Sequence, residues 1–402
     1  MRHNTPKATL NILFGCMLAT TAVAGTSEPH QQTDHRPARH QEAAQSVQAA
    51  QQARRPWVGV EPLPAGTDCP ADVAPGRTVN VLAIDGGGVR GIIPAAVLAY
   101  IEARANRPVA ELFDLLAGVS TRSLIAVSLS KPGSDSRPAV AAWQVAEGYL
   151  NDVQHLFPRG LTFELARTNG LLLPKYRAEV LEDLLRERLG HLYLSELIGE
   201  VIVPTYDLRS NRARLFQSAD ARADPGRDYL VRDMLRAATA APSIYPPKRL
   251  ADRDGRETLL GVDAGLFVNN PAELAEAEAR ALWPSRGVTL LSLGTGVQSA
   301  PVVNLSSNFG LVDWVPGLLY VGAYGQETVA TLESVRQLEE ARAPDDRHGL
   351  RLSPRLSPAS VSQFDASPAH MELLLRDAAT LIDTERAALD QMVRLLLCAK
   401  RR

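Results

Sequence analysis

Val79-Asn80-Val81-Leu82-Ala83-Ile84 runs directly into Asp85-Gly86-Gly87-Gly88-Val89-Arg90-Gly91. Six residues dominated by β-branched and aliphatic side chains fit a buried parallel strand, and the glycines behind them let the backbone turn sharply with its N–H groups facing outward. From Ile92 to Glu102 the apolar positions Ile93, Val97, Tyr100 and Ile101, with Pro94 in the first turn, predict a helix whose N-terminus points at that turn. Free amides and a helix dipole together make a site for negative charge.

Two chemistries use such a cradle. Gly86, Gly88 and Gly91 spell the G-x-G-x-x-G dinucleotide fingerprint, which also requires an acidic residue about 20 positions on, at the end of the next strand. Asp114 is the only near fit, and it lies inside the apolar run Leu112-Phe113-Asp114-Leu115-Leu116 instead of at its end. The oxyanion of an acyl transfer is the other charge that needs this geometry, and the remaining motifs favour it.

A second buried run, Phe113 to Val119, breaks at Gly118-Val119-Ser120-Thr121-Arg122, after which Ser123 to Ser130 continues as an apolar helix. A serine at a strand-to-helix turn is a nucleophile elbow, its hydroxyl raised above the sheet. Alone it is equally a small-residue turn. One βα unit after a glycine cradle it is more specific, because both turns would sit side by side at the carboxyl edge of a parallel sheet.

The general base is read in the same way. Leu259-Leu260-Gly261-Val262 is a short strand that delivers Asp263 into Asp263-Ala264-Gly265; the simpler reading is an aspartate capping its own turn. Of eight histidines, His3, His30, His35 and His40 precede the core, and His155, His191, His348 and His370 remain. A triad in the order Ser, Asp, His would need His348 or His370; the charged setting of one and the helix-opening position of the other place both at the surface.

The 402 residues carry 43 basic and 45 acidic side chains, a formal net charge of −2, and are 45% hydrophobic. That balance excludes the basic face a nucleic-acid binder needs and fits a globular protein. Arg2, His3 and Lys7, the apolar run Ile12 to Ala19 and the small residues Ala22-Val23-Ala24 predict a secretory signal peptide, residues 1–24. Anchoring as a lipoprotein at Cys16 is the second reading. Residues 25–56, rich in Gln, Ala, His, Arg and Pro, read as a disordered linker, and residues 57–78 as a lead-in to a domain over 79–402. After export Cys69 and Cys398 remain, either bridged or as two unrelated thiols; three cysteines in all show no metal-ligand spacing.

Residues 140–200 are mainly helical by pattern, 201–207 and 213–217 form two strands about Ser210-Asn211, Asp228 to Ala241 a helix, and Val288 to Leu293 the last clear strand. Strands alternating with helices predict an α/β fold, three layers α/β/α about a mainly parallel sheet. Phe309 to Val321, with three aromatics, reads as a buried helix or as an acyl channel or lid.

Together these segments resemble the patatin-like phospholipases. The resemblance rests on Asp85 to Gly91, Gly118 to Thr121, Ala238-Thr239-Ala240-Ala241-Pro242-Ser243, Gly261 to Gly265 through Asn269-Asn270-Pro271, and Leu291-Ser292-Leu293-Gly294-Thr295-Gly296. Leu350 to Pro354 and Phe364 to Pro368 are similar to the family's closing segment. It implies a lipid acyl hydrolase of phospholipase A or esterase type, with Ser120 as nucleophile, Asp263 as its base, no histidine, and an oxyanion hole from Gly87 and Gly88 with Arg90. It implies a lipid or phospholipid substrate met at a membrane surface, and no metal or organic cofactor. Two positions depart from the family pattern: Arg122 stands where the elbow's last glycine is expected, and Ala264 where the second motif has glycine. Ala264 is costly only if its φ is positive. Arg122, about 200° around a helix from Ser120, is expected to run along the helix surface with its guanidinium in solvent; a lipid-binding relative without turnover is the alternative this residue raises.

Overall fold

The computed structural model describes residues 55–64, 69, 73, 75–157, 174–297 and 347–400, all within one compact unit, Gln52–Arg402. The expected signal peptide, most of the linker, Cys16 and the Phe309–Val321 stretch lie outside the described residues.

The opening run is β1 (Thr78–Ile84), buried along its whole length. Leu82 and Ile84 face one apolar cluster while Val79, Val81 and Ala83 face another, so the strand is covered on both sides, which is why its sequence reads as an unbroken apolar run. β1 is parallel to β2 (Leu115–Gly118) on one edge and to β7 (Gly287–Leu293) on the other; β3 (Glu200–Asp207) and β8 (Arg347–Leu352) extend the parallel set. β6 (Glu257–Asp263) and β4 (Arg212–Gln217) pair antiparallel with β3, and β5 (Lys248–Ala251) with β6, giving the order β5-β6-β3-β2-β1-β7-β8. Helices on both faces complete a three-layer α/β/α arrangement.

The two helical layers are unequal. Against one face lie α1 (Ile92–Ala105), α2 (Ser123–Ser130), α3 (Ala142–Leu156), α4 (Ala178–Leu189), α5 (Val231–Ala238), α7 (Pro368–Thr384) and α8 (Arg386–Ala399), in the larger cluster. Against the other lies α6 (Ala272–Leu282), whose Ala272, Ala275 and Ala279 form a small-residue stripe that lets it approach β1 closely. α1 is buried from Ile92 to Ile101, being covered by α3, α7 and α8, with Leu82 and Ile84 of β1 in the same apolar cluster.

Three expectations are corrected. Val288–Leu293 is not the last strand, because β8 follows and pairs with β7 over six residues. The helix expected over 228–241 is only Val231–Ala238; Asp228 is held out of it by the Ser195 amide and hydroxyl and by Arg253. His370 is buried at the start of α7, its ring between the carbonyls of Ala359 and Ser362. Its helix opens against the body of the domain and not against solvent.

The register of β3 decides where the chemistry-bearing ends meet. Ile202 pairs with Ala117 of β2 and Gln217 of β4, and Thr205 pairs with Asp263 of β6 and Arg214 of β4. A strand residue has one partner on each edge, so β2 and β6 share the edge opposite β4. They run toward each other along it. Continued three residues past Ala117, the parallel register brings β2's chain opposite Thr205, the partner of Asp263.

Candidate active site

Ser120 occupies that position. Val119 is extended (φ −110°, ψ 139°), Ser120 turns with φ 56°, and Ser120–Arg122 form a single 3-10 turn before α2. A positive φ is strained for a residue with a Cβ and is held only where the surroundings over-determine it. Gly118 permits the turn: a Cβ there would stand 2.6 Å from the Arg122 carbonyl oxygen. The Ser120 hydroxyl donates to Asp263 Oδ2 at 2.5 Å, and Asp263 Oδ1 accepts from the Gly265 amide at 2.8 Å. Burial pushes the Asp263 pKa up to about 6, against the pull of the Ser120 hydroxyl, the Gly265 amide and the Arg122 charge. Such a carboxylate can accept a proton near neutrality and return it. Ala264 is buried and is not among the residues with positive φ, so the alanine fits without strain.

The glycine turn faces the same place. Gly87 (φ 143°) and Gly88 (φ 61°) lie in the left-handed half of the map, which favours glycine. The flanking amides are tied down, Gly86 N–H to Asn269 O at 2.9 Å and Val89 N–H to Gln363 O at 2.8 Å. Among the described residues no backbone partner takes the Gly87 or Gly88 N–H. Thr295 donates to Gly86 O at 2.8 Å, and Arg351 of β8 grips the buried Asp85 with both guanidinium nitrogens, Nη1 at 2.7 Å from Oδ1. Gly91 closes the turn beneath the ring of Tyr149, whose hydroxyl donates to Thr121 O at 2.9 Å.

Gly87, Gly88, Ser120, Asp263 and Gly265 line one cavity of about 280 Å³, with Phe157, Ile244, Tyr245, Leu266 and Phe364 as its apolar wall. None of His191, His348 and His370 is among its lining residues. Arg90 is not brought to it either: fully buried behind the turn, it donates to Gly296 O at 3.3 Å.

Arg122 is the main correction. Its side chain is fully buried, not in solvent. The guanidinium folds back over the glycine turn, Nη1 donating to Gly88 O at 2.6 Å and to the Thr121 hydroxyl. The expected direction came from an α-helical period, whereas residues 120–122 form a tighter 3-10 turn and the neighbouring glycine loop offers a carbonyl within reach. The dinucleotide alternative fails on position: Asp114 precedes β2, accepting from the Asn80 amide at 2.8 Å and pairing with Lys400 at 2.5 Å, at the end of the sheet away from the glycine turn.

Sequence had indicated Ser120, Asp263 and the glycines. Asn269 is in a matched run but without a role, and Gln363 is not indicated at all; both act through backbone carbonyls, which no side-chain pattern reveals. Nor had sequence indicated Tyr149 or Arg351, although Leu350 to Pro354 had been matched to the closing segment.

Residues 82–276 match the family model described as patatin-like phospholipase. The chain is similar to Patatin-like protein 1 of Oryza sativa subsp. indica, 32% identical over 270 residues, covering 60% of this chain and 65% of the relative. Patatin-like protein 2 of Arabidopsis thaliana is 30% identical over 268 residues, covering 60% of this chain and 66% of the relative. The chain thus spans about two thirds of the length of these relatives. Among solved structures, human GIVD cytosolic phospholipase A2 is similar with a TM-score of 0.41 at 13% identity, over 83% of this chain and 62% of that one. Elbow, glycine turn and aspartate all fall within the residues that match the patatin-like phospholipase family model.

Proposed function

We propose that this chain is a lipid acyl hydrolase, a serine esterase of phospholipase A type, with Ser120 as nucleophile and Asp263 as its base. The observation that carries the reading is the Ser120 hydroxyl donating to a buried carboxylate at 2.5 Å on the floor of an apolar cavity. In the reaction Asp263 takes the hydroxyl proton as Oγ bonds to the ester carbonyl carbon, and the oxyanion accepts from the Gly87 and Gly88 amides. Arg90, bonded to Gly296 behind the turn, supports that side. The C–O bond to the alcohol then breaks, the leaving oxygen takes the proton from Asp263, and the acyl group stays on Ser120. Water gives its proton to Asp263 as it attacks the acyl-enzyme; Ser120 regains a proton and the fatty acid leaves.

We place the hydrolase domain at 79–402, after a signal peptide (1–24), linker (25–56) and lead-in (57–78), and infer export of the mature chain. The bridge between Cys69 and Cys398 supports an oxidising compartment. The substrate is a lipid or phospholipid, met transiently at a membrane surface.

The test is fluorophosphonate labelling and p-nitrophenyl butyrate turnover. Wild type is expected to be labelled at Ser120 and to lose kcat/KM as pH falls through about 6, where Asp263 takes up a proton. Ser120→Ala is expected to lose turnover by several powers of ten, on the order of 10⁶ where a serine centre has been dissected, and Asp263→Asn to lose it without unfolding. Full activity in Asp263→Asn with a dead His370→Ala would overturn the dyad. No label and no turnover in wild type would leave lipid binding without catalysis.

A further inference from the structure

We propose that a second cavity, behind Thr121, takes the fatty-acyl chain of the substrate, and that Gly148 keeps it open; this rests on the reading of Ser120 and Asp263 as nucleophile and base. The cavity, about 350 Å³, lies between α2, α3 and α4. Leu124, Val145, Val153, Leu156, Leu184 and Leu185 form its apolar wall. It shares Gly88, Thr121 and Phe157 with the cavity that holds Ser120, and Lys131, Asp152 and Arg188 add charged residues to its lining.

The chemistry decides which part of an ester each cavity receives. The leaving oxygen must be protonated as its bond to carbon breaks, and the group hydrogen-bonded to Ser120 is Asp263. The alcohol portion therefore lies on the Asp263 side, beside Gly265, Leu266 and Asn269, all in the first cavity. The carbonyl oxygen is held at Gly87 and Gly88. The remaining substituent, the acyl chain, then points away from Asp263, past Gly88 and Thr121, where the second cavity begins.

Gly148 supplies an independent observation. It sits in the interior of α3, where glycine is less favourable than alanine. Its φ is not positive, and among the described residues a Cβ there would meet only Asp152 Oδ2, at 4.0 Å. No described neighbour requires the glycine. A side chain at 148 would instead occupy the second cavity, which Gly148 lines.

The experiment is kcat/KM for p-nitrophenyl acetate, butyrate, hexanoate, octanoate and decanoate, below their aggregation limits. In wild type each added methylene that enters the cavity is expected to raise kcat/KM up to about fourfold. Gly148→Leu, and Ser128→Phe from the opposite wall, are expected to abolish that rise while acetate turnover stays within about twofold; Gly148→Ala serves as the folding control. A flat wild-type profile, an unchanged profile in both variants, or equal loss on acetate and decanoate would overturn the proposal. Labelling of Ser120 by a short fluorophosphonate tests the catalytic reading separately. Were that label absent, titration with dansyl-undecanoic acid still decides: at least tenfold weaker binding to Gly148→Leu supports the acyl site, and equal binding overturns it.

Discussion

At the scale of single residues, Arg122 turns a departure from the family pattern into part of the site. Glycine at the end of an elbow leaves room between the turn and the glycine loop. Here that room is filled by a guanidinium that donates to Gly88 O and lowers the Asp263 pKa by its charge. An arginine lying along the helix surface would let Arg122→Gly relieve crowding at the elbow and raise activity. The buried one predicts the opposite. Losing a charged hydrogen bond costs about 1.5 to 3 kcal/mol, so Arg122→Gly is expected to lower kcat/KM about ten- to a hundredfold. The acid limb should move above its position near pH 6, because a positive charge that favours the ionised carboxylate is gone. Arg122→Lys restores charge but not the planar fork, and is expected to recover the limb better than the rate. A pH–rate profile on the three proteins decides; faster turnover in the glycine variant with an unmoved limb would return Arg122 to mere crowding.

At the scale of elements, β8 shows how an edge strand can serve a site without looking like a strand. Arg347-His348-Gly349-Leu350-Arg351-Leu352 pairs with β7 alone among the described strands, and Arg351 reaches from it to the buried Asp85 at the head of the glycine turn. Burial raises the Asp85 pKa, and Arg351, then Arg122, pull it back. Removing one partner of a buried ion pair typically costs about 3 to 5 kcal/mol, whereas replacing both can be nearly neutral. Arg351→Met is therefore expected to destabilise the domain by that amount in urea unfolding, with Asp85→Asn/Arg351→Met recovering most of it. A double variant as unstable as the single one would show that Arg351 matters for something other than Asp85. β1, β2, β6 and β7 were legible because strands covered by neighbours read as apolar runs, and Ser120 and Asp263 because each sits where such a run breaks. β8 was not, since a strand with an open edge carries charged residues and a glycine. Arg122's destination was not legible either, because a helical period gives a direction from Ser120 but not the position of a turn 34 residues before Arg122 that closes over it only in the fold.

At the scale of the whole molecule, chemistry and cross-linking occupy opposite ends of the sheet. The glycine turn and the elbow follow the carboxyl ends of β1 and β2. The start of β1 is held by α8, where Asn80 Nδ2 donates to Leu396 O at 3.1 Å and Lys400 pairs with Asp114. Cys398 in that helix is bonded to Cys69, 329 residues away in sequence. Along β1 the two ends stand about 20 Å apart at the usual rise per strand residue. Closing so long a loop restricts the unfolded chain, and the chain-entropy model gives a stabilisation of about 6 kcal/mol. Cys398→Ser, or reductant added to wild type, is expected to lower the unfolding free energy by that amount and to steepen the denaturant dependence as the unfolded chain expands. Labelling of Ser120 in the folded protein should not change, since α8 meets β1 near its start, at the end of the strand away from the elbow. Mass mapping without reductant is expected to find Cys69 linked to Cys398 in protein recovered from an oxidising compartment. Two free thiols there, or an unfolding midpoint indifferent to reductant, would remove both the bridge and the support it lends to export; a label lost together with the bridge would mean the two ends of the sheet are not independent.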